Sequence, residues 1–193
     1  MDKRELKQII KEDKEIYYEK NCIFNLIKRI VGDKFQRIGK LIIISRKYGY
    51  YKMKLNKNFL DKIFCVIYKY RKNRLGEKLN IELGVKQFGR RLKIYHGNIV
   101  VNGYSIIGND CELHGNNCIG NKGTMYDLNL CPIIGNNVTI GVGSNVIGKV
   151  KIGDNIKVSA NSLINKSFEE GNFMIGGVPA KIIKRIGADN DKG

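Results

Sequence analysis

Residues 133–164 read IIGNNVTIGVGSNVIGKVKIGDNIKVSANSLI. A branched aliphatic recurs every sixth position, at Ile134, Ile140, Val146, Ile152, Val158 and Ile164, and the same step runs upstream through Val101, Ile107, Leu113 and Ile119. Ten such hits in register have a chance probability on the order of one in a million. Gly often follows the aliphatic (Gly108, Gly120, Gly135, Gly141, Gly153), and Asn or Asp often fills the next two places. Small or β-branched residues stand four after it (Ser105, Cys111, Val138, Ser144, Val150, Ile156, Ser162). Each hexad is therefore a short strand plus a turn, because Gly and Asn tolerate turn angles while the aliphatic points inward. A helix is excluded: six residues rotate it by ~600°, which scatters the aliphatics around its circumference. The tract is a parallel β-solenoid, and three hexads per coil make it a triangular prism.

The beat breaks twice. Going back from Val101, the next aliphatics in register are Ile94 and Phe88, so one extra residue enters at Tyr95-His96-Gly97. A bulge there re-aims a side chain outward. The second break separates Ile119 from Ile134, one hexad plus nine residues, and the excess near NKGTMYDLNLCP leaves the wall as an excursion loop. Such loops are binding elements or decorative insertions. The chain's two histidines, His96 and His114, lie eighteen residues apart. One coil is eighteen residues, so they are expected on one face about one strand spacing (~4.8 Å) apart.

With 193 residues, 42% of them hydrophobic, the chain can bury a substantial core. Its net charge of +17 is unevenly spread. Residues 1–80 carry 22 Lys and Arg against 9 Asp and Glu, whereas residues 81–193 carry 13 against 9. The longest purely aliphatic run, LIII at 41–44, falls far short of the ~18–20 residues a spanning helix needs. The opening MDKRELKQII has no apolar segment of signal-peptide type. Five cysteines without CxxC spacing or a His cluster imply reduced thiols, a cytoplasmic setting and no metal site, with Cys111 and Cys118 packing as small residues. Helix-like apolar spacing covers 4–32 (Ile23, Phe24, Ile27, Ile30, Val31) and 56–75 (Phe59, Leu60, Ile63, Phe64, Ile67). The expected class is α+β: a basic helical region over 1–80, the β-solenoid over 81–187 and a disordered tail over 188–193. The basic region reads first as a solvated surface. Its charge also admits peripheral contact with an anionic membrane, at the inner face, and is permissive for nucleic acid, although no nucleic-acid partner is expected.

Four stretches, FGRRLKIYHGNIVVNG, IGNDCELHGNNCIGNKG, CPIIGNNVTIGVGSNVIGKVKIGDN and GGVPAKIIKRIG, resemble the left-handed β-helix of hexapeptide-repeat acyltransferases. They are similar to serine acetyltransferases and, more closely, to the serine-acetyltransferase-like enzymes that acetylate sugars in surface polysaccharide synthesis. The resemblance supplies the left hand of the solenoid; general crossover chirality would favour the opposite one. It also implies that His96 is a general base, taking the acceptor hydroxyl's proton while the oxygen attacks the thioester of acetyl-CoA. An imidazole suits that role, since its ordinary pKa lies near ~6.5. By the same resemblance Glu82 orients that histidine, or else caps the solenoid as a solvated acid. His114 supports His96 or contacts the acceptor, or simply lines a solvated face. Val142 and Ala160 present backbone to the pantetheine arm, and Lys166, Lys181 and Lys184 meet the cofactor's phosphates. A homotrimer with sites between subunits is implied as well.

Departures from the family pattern bear on the acceptor. Serine acetyltransferases carry an Asp just before the histidine and an Arg-His pair before the Pro that resumes the wall; this chain has Tyr95, Leu130 and Cys131 there. A zwitterion would lose charge partners, at several kcal/mol in a desolvated site. The reading is an acetyl-CoA-dependent O-acetyltransferase acting on a sugar, with Tyr95 or Tyr126 as its aromatic surface. The alternatives are serine O-acetyltransferase and, from another class, a non-catalytic scaffold or membrane-surface module.

Overall fold

Short polar side chains start three of the helices. Asp2 Oδ1 accepts from the Glu5 amide at 2.8 Å to open α1 (Lys3–Tyr17). Asn21 does the same for α2 (Cys22–Ile30), and Asp33 for α3 (Lys34–Met53). The fourth helix, α4 (Phe59–Leu79), ends on Asn80 in the left-handed conformation, at φ 53°. The computed structural model describes residues 1–54, 58–84, 88–123 and 130–187. Tyr126, most of the excursion loop and the 188–193 tail lie outside these described residues.

The sequence reading did not single out α3, which is the hub of the helical region. The other three helices pack on it, and it buries residues from Ile38 to Tyr50 all round its circumference. A helix covered on most sides has no polar stripe, so its apolar residues show no helical beat.

Among the described residues fourteen strands follow. The wall strands are β1 (Ile81–Leu83), β2 (Lys93–Ile94), β3 (Ile99–Val101), β4 (Ile106–Ile107), β5 (Glu112–Leu113), β6 (Asn117–Gly120), β7 (Ile133–Ile134), β8 (Thr139–Ile140), β9 (Asn145–Ile147), β10 (Lys151–Ile152), β11 (Lys157–Val158) and β12 (Leu163–Ile164). The hairpin β13 (Phe173–Gly177) and β14 (Ala180–Arg185) closes the far end. The strands form three sheets, ordered β1-β3-β6-β9-β12, β10-β7-β4 and β14-β13-β11-β8-β5-β2, all parallel except the final hairpin. From β2 to β12 each strand pairs with the one three further along, so the chain winds around a three-sided prism.

All ten aliphatics of the beat are buried, none more than 3% exposed, and so are the small or β-branched residues four after them, Ser105, Cys111, Val138, Ser144, Val150, Ile156 and Ser162. Two inward positions per hexad fill the interior, each large side chain contributing roughly 1.5–3 kcal/mol. Asn98, Asp110, Asn116, Asn137, Asn155 and Asn161 turn the corners at positive φ. Ladders such as Asn98 Nδ2 to Asn116 Oδ1 at 2.9 Å join them from coil to coil.

Both breaks appear in the register. Ile81 pairs with Ile99 and Leu163 with Asn145, eighteen apart, whereas Lys93 pairs with Glu112, nineteen apart. Cys118 pairs with Asn145, twenty-seven apart, which accommodates nine extra residues.

Helices and wall share one core, in which Tyr17, Ile38, Leu41 and Ile42 join the first coils. Two polar links fix the joint. Arg46 pairs with buried Asp13 at 3.0 Å and donates to the Phe88 and Gly89 carbonyls at 2.7 and 2.5 Å. The Tyr17 hydroxyl accepts from the Ile94 amide at 2.8 Å and donates to the Leu92 carbonyl at 3.0 Å. A phenol thereby completes the edge of β2, the terminal strand of its sheet among the described residues.

Candidate active site

The coil that leaves β2 carries Tyr95, then the inserted residue, then Gly97. His96 is exposed at this corner, and among the described residues its ring has no hydrogen bond, ion pair or ring partner within the chain. Two glycines make the corner possible. Gly115, one coil above, adopts φ 113°, and a Cβ there would stand 2.7 Å from His96 Cβ. Gly97 lies against the Leu79 carbonyl at the end of α4, with no space for a side chain.

The expectation that His96 and His114 stack on one face needs correction. The inserted residue moves the pairing of β2 and β5 to nineteen, so Tyr95 lies beside His114 and His96 lies against Gly115. The Tyr95 and His114 rings are 4.6 Å apart between centroids. His114 is 40% exposed as a side chain, yet its Nε2 is enclosed without a hydrogen bond, 3.6 Å from Glu112 Oε2.

Around Tyr95 stands a charged cluster that the sequence reading missed. Its hydroxyl donates to Glu112 Oε2 at 3.2 Å, Lys93 Nζ lies 4.6 Å above its ring, and Lys93 and Glu112 approach to 3.9 Å. The Tyr95 hydroxyl, with Glu112 assisting, raises the Lys93 pKa above its ordinary value. Lys93 and Glu112 are nineteen apart in sequence, so the one-residue slip at Tyr95-His96-Gly97 was the signal that places them side by side.

Glu82 lies elsewhere. It stands on β1 opposite Val100, in a groove of ≈ 710 Å³ that Lys72, Asn80 and Asn98 also border. Burial lowers the Lys72 pKa, with Glu82 opposing the shift. Among the described residues no hydrogen bond or ion pair joins Glu82 to His96, because Glu82 projects from a sheet face and His96 from a prism edge.

That edge continues upward. The registers place Gly115, Val142 and Ala160 above one another, and Asn116 N to Gly97 O (3.2 Å), Gly143 N to Gly115 O (3.0 Å) and Asn161 N to Val142 O (2.9 Å) tie the coils. Val142 and Ala160 are exposed. At ~4.8 Å per coil they lie roughly 10 and 14 Å along the edge from the His96 level. Lys181 pairs with Gly176 on the last strand, next to this edge, and Lys184 pairs with Met174 farther along the same strand. Lys166 follows β12 on a different edge, its ammonium 5.5 Å above the Phe168 ring. Within one chain the structure thus aligns His96, Val142 and Ala160, brings Lys181 near, and leaves Lys166 and Glu82 apart. Among the described residues no group of three or more His, Cys, Asp or Glu is arranged to hold a metal.

No protein-family model matches the chain. Serine acetyltransferase of Buchnera aphidicola subsp. Schizaphis graminum is 32% identical over 123 residues, 63% of this chain and 47% of that protein. Serine acetyltransferase of Staphylococcus aureus strain Mu50 is 32% identical over 110 residues, 56% of this chain and 50% of that protein. The chain spans about half the length of these relatives. Among solved structures, serine acetyltransferase of Neisseria gonorrhoeae superposes with a TM-score of 0.69 at 21% identity, covering 95% of this chain and 68% of that one. A serine acetyltransferase complex with coenzyme A from Brucella abortus strain S19 gives 0.69 at 20% identity, covering 96% and 70%.

The fold is therefore the left-handed parallel β-helix of hexapeptide-repeat acyltransferases, preceded by helices. In sequence the chain is similar to serine acetyltransferases over more than half its length, and it shares their fold over nearly all of it.

Proposed function

We propose that the chain is an acetyl-CoA-dependent O-acetyltransferase in which His96 is the general base. The observation that carries this reading is the prism edge, where an exposed imidazole at a kinked corner stands in line with Val142 and Ala160. His96 takes the acceptor's hydroxyl proton as the oxygen attacks the thioester carbonyl carbon. The C–S bond breaks, and the departing CoA sulfur receives the proton from the imidazolium. No acyl-enzyme is needed. Exposed Val142 and Ala160 suit an extended pantetheine arm along the edge, and Lys181 suits the phosphates beyond it. In a homotrimer a neighbouring subunit would close this open edge and contribute Lys166 from its own second edge. Use of acetyl-CoA assigns the work to the cytoplasm.

The acceptor favoured by the comparisons is serine, since the relatives and solved structures described above carry that name. They lend no support to surface polysaccharide synthesis. The sequence argument against serine was the loss of charged partners at Tyr95, Leu130 and Cys131. Glu112 and Lys93 weaken that argument: a carboxylate and an ammonium flank Tyr95, next in chain to His96, and match an amino acid's two charges. The partly exposed Tyr95 ring favours a sugar as second reading, because a pyranose face packs on an aromatic ring.

Thiol release from acetyl-CoA, followed with free serine and with a panel of sugars, tests both readings. Turnover with serine alone supports the first and turnover with a sugar alone the second. No release with any acceptor, together with no CoA binding, sinks the enzyme. His96→Ala should lower kcat by at least ~10²-fold while CoA affinity stays within a few-fold, because removing a base affects the chemical step.

A further inference from the structure

Helix α2 is built inside out. Its polar Asn25 faces the protein, where Asn25 Oδ1 accepts from Gln36 Nε2 at 2.9 Å and from the Glu19 amide at 3.0 Å, while Lys28 pairs with Glu19 at the surface. None of its residues is buried. Ile23 (68% exposed), Phe24, Leu26, Ile27 and Ile30 (75% exposed) point outward, continued by Val31. The N-terminal half of α4 presents a second outward set in Phe59, Leu60 and Val66. A folded chain does not leave a whole apolar helix face in water without a use for it.

We infer that α2 docks this protein onto an anionic lipid bilayer, lying in the headgroup plane with Ile23, Phe24, Ile27 and Ile30 inserted. Charge selects this occupant. The first 80 residues carry 22 basic residues against 9 acidic ones, with Lys20, Arg29 and Lys62 exposed on or beside α2 and the start of α4, so an anionic surface attracts this region and a second copy of it is repelled. Nucleic acid would match the charge and leave the apolar side chains unsatisfied. Nine residues make α2 about 13 Å long, too short for a ~30 Å hydrocarbon layer. Among the described residues no helix is long and apolar enough to cross a membrane. The helix therefore lies on the surface, apolar residues down and cations at the phosphates.

The test is sedimentation of the full chain with vesicles of phosphatidylcholine alone and of phosphatidylcholine mixed with phosphatidylglycerol, in low and high salt. Capture by the anionic vesicles, weakened by salt, is expected. Ile27→Glu should weaken it by at least about tenfold, since one inserted aliphatic is lost and a like-charge carboxylate enters. Arg29→Gln, a change at an exposed position, should weaken it by a smaller factor. Both variants should keep wild-type melting and wild-type thiol release from acetyl-CoA, so failure here is separable from failure of the enzyme reading. Equal capture by both vesicle types, or capture unchanged in Ile27→Glu, overturns the inference. So does a fall in oligomeric mass of Ile27→Glu in sedimentation velocity without any vesicle binding by the wild type, which would make a second copy the occupant.

Discussion

The wall and the helical cap treat the same side chains in opposite ways. In the wall, Ile119, Ile140 and Val146 are fully enclosed while turn residues such as Asn136 and Asn137 face out. In α2, Ile23, Ile27 and Ile30 face out while Asn25 holds the helix to Gln36 of α3. Both segments have periodic apolar residues. The difference lies in what covers the apolar face. Each coil of a solenoid buries its aliphatics against the next turn of the same chain, so period and burial are one fact. An amphipathic helix declares only that an apolar face exists, and its cover can be the core, another molecule or a lipid surface.

The joint between the regions gives the largest expected effect. Asp13 is wholly buried and Arg46 nearly so, and the guanidinium also satisfies two carbonyls at the start of the solenoid. Arg46→Ala leaves a carboxylate without its countercharge and should destabilise by about 3–5 kcal/mol in urea unfolding. Loss of under 1 kcal/mol would mean that cap and wall hold together without this link.

Gly115→Ala comes next. It forces a side chain into φ 113° and against His96 Cβ, so a loss toward the upper part of the ~1–3 kcal/mol range for a strained backbone position is expected. Turnover should fall by more than the stability change explains, because the overlap displaces the proposed base. Measuring kcat at a temperature where the variant is fully folded separates the two.

How much of this was legible in sequence follows from the same contrast. The ten aliphatics, the inserted residue and the nine-residue excess could be counted directly, because a hexad means the same thing in every coil. What escaped was consequence at a distance. The inserted residue was seen, yet its effect on pairing was not carried through, which set His96 over His114 and concealed Lys93 beside Glu112. Helix α3 escaped because it is covered on most sides. The direction of α2 escaped because nothing in Ile23, Phe24, Ile27 and Ile30 says which side is the body of the protein.

Tyr17→Phe probes the edge strand. Removing the hydroxyl leaves the Leu92 carbonyl and Ile94 amide unpaired in a buried place, at about 1–2 kcal/mol. Burial pushes the Tyr17 phenol well above its ordinary range, so the folded state holds the neutral form longer than the unfolded state does. Its contribution is therefore complete below the unfolded pKa of ~10 and is lost as pH rises past it. The gap between wild type and Tyr17→Phe should be constant from neutral pH to about pH 9 and narrow above ~10. A gap that widens at alkaline pH would show that the phenol is not held neutral.

The smallest expected effect is the one that most sharply divides the two regions. Ile30 is 75% exposed, so Ile30→Ser removes little buried surface in the isolated protein. Unfolding free energy should change by less than ~0.5 kcal/mol, as for surface substitutions generally. Ile140, identical in chemistry, is fully buried one register step above Leu113, and Ile140→Ala should lose ~2–5 kcal/mol through lost transfer and the cavity left behind. The pair compares one side chain type under two kinds of cover. A large loss for Ile30→Ser at dilute protein without lipid would mean that α2 already packs against something in solution. If that loss grows with protein concentration, the cover is a second copy, and the bilayer is not what α2 was built to meet.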